Sequence, residues 1–240
     1  MEWVLFKSEG ITHLFRWGHF VFGVIWIGIL YYFNFVQMPF FAEADASTKS
    51  NVIQKLVPRA LKWFRYAALF TFLTGLVLLY LRAMDLTGGE SWMSAFTSNW
   101  GLLILTGATL GTLMFLNVWL IIWPNQKIVI ASTKAVASGG QADPRAAAAG
   151  TKATLASRTN TMFSVPMLFY MGAAPHLGMA VSPDVSTHKA LGVVFVIILA
   201  LELNAIFGKL HKPMQSVVGI IHCGVVLTAV IYVLQEILTK

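Results

Sequence analysis

The stretch that follows His19 limits this chain more than any other. From Phe20 to Ala42 there is no charged side chain, and the next one is Glu43. An apolar run longer than about 18 residues can cross ~30 Å of hydrocarbon. Only a helix satisfies the backbone polar groups of such a run within a single segment. The run opens on Arg16-Trp17-Gly18-His19, so a guanidinium and an imidazole stand at its mouth.

Five further runs of this kind follow. The six expected spans are roughly 17–41, 63–81, 100–123, 161–181, 190–207 and 214–238, the third ended by Pro124. Hydrophobic residues make up 57% of the 240 and charged ones 11%, against about a quarter charged in a soluble domain. The expected fold is therefore an all-α, polytopic membrane bundle of about six transmembrane helices, forming one domain over 1–240. The lipid bilayer is its first partner. The net charge of +7 does not imply nucleic acid, because the basic residues lie between the apolar runs, where they serve topology and anionic lipid.

That distribution also gives an orientation. Of the 17 basic residues, Lys7, Arg16, Arg82, Lys189 and Lys240 fall on the side of the termini and twelve on the other. Positive residues favour the cytoplasm. Both termini are thus expected in the periplasm, and the protein in a bacterial inner membrane. The segment 125–160 becomes a cytoplasmic loop, with 126–136 and 145–155 as two short helices on the membrane surface. Residues Met1 to Glu9 lack the basic start and small-residue cleavage site of a signal peptide. The single cysteine, Cys223, allows no internal disulfide, no CxxC metal site and no CxxCH haem attachment.

Polar residues at membrane depth are the sharpest functional signal, because each is costly there and usually faces a cavity or partner. They are His19, His176, His188, Glu202 and His222, with Asn34, Asn117 and Asn204 as neutral companions. Alternating direction puts His19, His176 and His188 toward one surface, as a layer. Such a layer suits a haem b held by two histidines, with His19 and His176 as iron ligands and His188 or His222 as further candidates. Glu202 and His222 fall at similar depth in the last two spans and are expected to form an acid–imidazole pair or part of a proton path. His13 and His211 read as loop residues. Gly107-Ala-Thr-Leu-Gly111 is a GxxxG pattern that permits close helix approach.

Four motifs carry a family resemblance. They are Arg16-Trp-x-His19-x6-Trp26-Ile-Gly28, Lys62-Trp-Phe-Arg65, Asn117-Val-Trp-x3-Trp-Pro-Asn-Gln126 and Ala156-Ser-Arg158-Thr-Asn160-Thr-x2-Ser-Val-Pro166. Together they resemble the membrane domain of the bacterial urate hydroxylases, over nearly the whole chain. His19-x6-Trp26 also looks, more weakly, like the first helix of the membrane-bound protoporphyrinogen oxidases. The resemblance implies a membrane redox protein, and makes Arg158 and Asn160 candidate functional positions. In the urate hydroxylases a cytochrome c follows the membrane domain. Without CxxCH before Lys240, the implied electron acceptor is a separate periplasmic cytochrome c. The competing expectation is a non-enzymatic accessory subunit, whose partners are other subunits of a respiratory or photosynthetic membrane complex. A proton channel using Glu202 and His222 is the third, set back by the absence of an inverted repeat.

Overall fold

A backbone that must satisfy itself in hydrocarbon folds as helix, and every regular element among the described residues is helical. The computed structural model describes residues 3–182 and 187–240. Asp184, four residues before His188 in the sequence, lies outside the described residues. Six long rods run back and forth. The first is α1 (Ser8–Tyr31), a π-helical segment (Tyr32–Gln37) and α2 (Met38–Glu43). A short α3 (Ala46–Lys55) leads to the second rod, α4 (Val57–Leu86). The third is α5 (Asn99–Leu116), a second π segment (Asn117–Ile122) and α6 (Trp123–Ala137). The last three are α7 (Ala146–His176), α8 (Thr187–Phe207) and α9 (Val217–Leu238).

Five rods are long and apolar enough to cross a membrane, and α7 is the exception. At 31 residues it is long enough, but it is less apolar than the other five. Its middle avoids lipid altogether: Thr159 to Ser164 are buried without a break, as befits a helix at the centre of a core. It touches α1, α5, α6, α8 and α9. Glycines let two of these come close. A Cβ at Gly107 of α5 would lie 3.2 Å from Tyr170 Cβ, and one at Gly224 of α9 would lie 2.7 Å from Val165 Cγ2. The GxxxG face is thus a packing surface against α7.

The third rod does not end at Pro124. Proline lacks a donor and its ring clashes with the carbonyl four residues back. Here the preceding π segment already bonds at longer range, with Trp123 N donating to Val118 O. That wider turn gives the ring room. Pro39 follows the first π segment in the same way, after Met38 N donates to Phe33 O.

Two surface helices at 126–136 and 145–155 do not form either. These residues extend the rods as α6 and the start of α7, because their alanine- and lysine-rich sequences continue the helices already begun. Only 138–145 is a turn. There Gly139 takes φ +82°, and Asp143 accepts from Arg145 N and Nη2, both at 2.8 Å. Asn117 and Glu202 are hydrogen-bonded and so lie level. From that level α6 runs about 30 Å to Ala137, and α8 only about 8 Å to Phe207. The α6–α7 hairpin therefore projects beyond its neighbours.

The opposite end of the bundle is tied by loop contacts. Asn99 Nδ2 donates to Leu177 O at 3.2 Å, Thr187 Oγ1 to Thr97 O at 3.3 Å, and Ser182 N to Thr239 O at 2.9 Å. The described start of the chain and its C-terminus both lie at this end.

Candidate functional site

The polar residues of the rods gather along α7. Asn160 is fully buried; its Nδ2 donates to Met114 O at 2.9 Å, and its Oδ1 accepts from Asn117 Nδ2 at 2.9 Å. The same amide of Asn117 donates to Glu202 Oε2 at 3.2 Å. On the α1 side, Asn34 Nδ2 donates to Ser157 Oγ at 2.8 Å, and the Tyr31 and Ser164 hydroxyls meet at 2.9 Å. Ser157, Asn160, Thr161 and Ser164 follow the three- and four-residue spacing of one helical face. A seam of separate hydrogen-bonded groups, one of which holds a carboxyl, thus lines α7 within the apolar core.

Both π segments begin at this level, and each buries an asparagine, Asn34 and Asn117. Such bulges recur at functional sites because the widened turn re-aims side chains. The seam corrects two expectations. The Ser157–Asn160 motif is not in a loop but at the centre of the bundle. Glu202 takes Asn117 as its partner and not His222, whose side chain is exposed on α9. Asn204 closes the α8–α9 loop instead, accepting from Leu210 N at 3.3 Å.

Toward the hairpin end of α7 lies an open cavity of about 580 Å³, between α7, α6 and the α8–α9 loop. Arg158 and His211 line it together with Met38, Leu155 and Met214. Arg158 is half-buried and makes no described hydrogen bond or ion pair. The other half-buried arginine of a family motif is satisfied. Arg65 lies 3.3 Å over the Trp123 ring and donates from Nε to Leu61 O at 3.2 Å. The motifs around Lys62 and Asn117 therefore meet through this stack.

The four candidate histidines are not brought together. His19 is half-buried between α1 and α4, with Nδ1 3.1 Å from Thr74 Oγ1. The Thr74 hydroxyl donates to Phe70 O at 2.6 Å. The hydrogen-bond network therefore assigns the shared proton to His19 Nδ1, leaving Nε2 as an acceptor. Gly75 makes the approach possible, since a Cβ there would lie 3.1 Å from His19 Cε1. The contact with Thr74 thus fixes the orientation of the ring. His176, His188 and His222 are exposed. Among the described residues, no three His, Cys, Asp or Glu side chains gather as a metal site. Of the four, His19 alone has a described hydrogen-bond partner.

The chain matches the model of the family described as urate oxidase N-terminal, over residues 84–235. No curated protein and no solved structure matches it. The matched stretch holds Asn117, Ser157, Arg158, Asn160 and Glu202. The likeness to protoporphyrinogen oxidases finds no support in these comparisons.

Proposed function

Because this chain belongs to the urate oxidase N-terminal family, we propose that it is the membrane part of an oxidoreductase that hydroxylates a urate-type purine. The observation that carries this reading is the buried carboxyl of Glu202, only 4% exposed, joined through Asn117 to Asn160. All three residues lie within the family match. A carboxyl at this depth is expensive, and proteins keep one there chiefly for function. The reaction adds the oxygen of one water to the purine and releases two protons and two electrons. Glu202 accepts one proton, and Asn117 and Asn160 hold the carboxyl in place. The electrons leave singly to a one-electron carrier, a cytochrome c on the side of the termini. By the positive-inside rule that side is the periplasm of a bacterial inner membrane.

The test uses purified protein in nanodiscs with urate, ferricytochrome c and ¹⁸O-water. Reduction of two cytochromes per urate, with label in the product, is expected. The Glu202→Gln variant keeps the bond from Asn117 but cannot take a proton, and should lose about a hundredfold in rate. Absence of urate-dependent reduction under any acceptor would sink the reading.

A further inference from the structure

We propose that the cavity at the foot of the α6–α7 hairpin binds the substrate, a planar anionic oxopurine, with Arg158 as its charge-pairing group. This rests on the urate-type oxidoreductase reading and adds the location and chemistry of the binding site. At about 580 Å³ the cavity falls in the ~300–1,000 Å³ range of small-molecule sites.

Its chemistry suits a flat anion. A guanidinium offers donors in a fork that matches a delocalised oxyanion. Three other arginines spend theirs within the protein, Arg65 on Trp123, Arg82 on Asp85 and Arg145 on Asp143, while Arg16 and Arg59 are exposed. Arg158 is half-buried and spends none, so its cation stands in the cavity wall awaiting an anion. His211 supplies the complementary group. Its Nε2 lies 2.9 Å from Asn204 O, a pure acceptor, so the ring proton sits there. In the neutral ring Nδ1 is then an acceptor for a purine N–H. Met38, Leu155 and Met214 provide apolar walls for the flat faces.

Room is kept by a small residue. A Cβ at Gly150 would meet only Val129 Cγ2, at 3.7 Å. A larger side chain there would enter the cavity without striking backbone. Arg158 also follows Ser157 directly in α7, so the cavity and the seam belong to neighbouring faces of one helix.

Equilibrium binding of radiolabelled urate to the full chain in nanodiscs tests this, with caffeine as a neutral oxopurine competitor. Wild-type protein should bind urate and resist caffeine. Arg158→Gln should weaken urate at least about tenfold and lose the preference for the anion, while Arg158→Lys keeps part of both. Gly150→Leu should abolish binding, with size-exclusion profile and helical content unchanged. If Arg158→Gln and Gly150→Leu bind urate as tightly as wild type, this site is wrong and the oxidoreductase reading survives. If wild type binds no urate, both fall.

Discussion

Asn117 is the residue on which the seam turns, because one amide serves both Asn160 and Glu202. Replacing it by alanine leaves Glu202 without its described partner. Hydrogen bonds inside membrane bundles are worth about 0.6–1.7 kcal/mol, and an unsatisfied buried group costs about 1–3 kcal/mol. Asn117→Ala should therefore lower the unfolding free energy in detergent by about 1–3 kcal/mol, measured by SDS titration. Gly224 makes a sharper steric test. A methyl group there would lie 2.7 Å from Val165 Cγ2 and 3.0 Å from Met162 O, and the carbonyl cannot rotate away. Gly224→Ala should cost about 1–3 kcal/mol. Gly28→Ala, with nothing within 4 Å of its Cβ position, should cost far less in the same titration.

At the scale of elements, the contacts join segments distant in sequence. Arg65 of α4 is held over Trp123, the first residue of α6. A flat guanidinium stacks on an indole where an ammonium does not, and such contacts are worth about 0.5–2 kcal/mol. Arg65→Lys should lower the melting temperature of the detergent-solubilised protein while leaving its helical content intact. The turn of the α6–α7 hairpin carries a pH dependence. Hydrogen bonds from the Arg145 side chain and backbone pull the Asp143 carboxyl down from its ordinary 3.8 to about 2. Because the folded value is depressed, the turn's stabilisation is complete above about pH 4 and fades as pH falls through about 2. Titrating ¹³C-labelled aspartate by NMR should place Asp143 near 2, and Arg145→Gln should return it toward 3.8.

The whole molecule is a bundle whose central helix is its most polar one. Four of the other five rods pack against α7, which buries its polar middle among them. Six rods of alternating direction place Lys240 and the hairpin turn at opposite ends. In a Cys223→Ala background, Gln141→Cys and Lys240→Cys, both at exposed positions, should react with a membrane-impermeant thiol reagent from opposite faces of the membrane. Labelling of both from one face would refute the arrangement.

Five of the six rods were legible in the chain because hydropathy over about 18 residues is a property of one segment and needs no partner to be read, whereas α7, expected as a span over 161–181, falls short of that hydropathy. The same holds for the bias of basic residues, and for the family motifs around Asn117 and Arg158. The glycines at 107 and 111 also announced a close contact, though not with which helix. Other features were illegible for a common reason. Ser157 to Asn160 read as a loop, since polar residues beside lysines look solvated until other helices enclose them. The π segments hid inside apolar runs, where one extra residue per turn leaves hydropathy unchanged. Glu202 was matched by depth to His222, but depth does not specify which way a helix is rotated. Its bond to Asn117 joins residues 85 positions apart. Only the packing of α5, α7 and α8 sets the rotation that makes them meet. The uncharged run after His19 dictates that the chain crosses a membrane, while the packed bundle alone decides that its buried polar residues gather around α7.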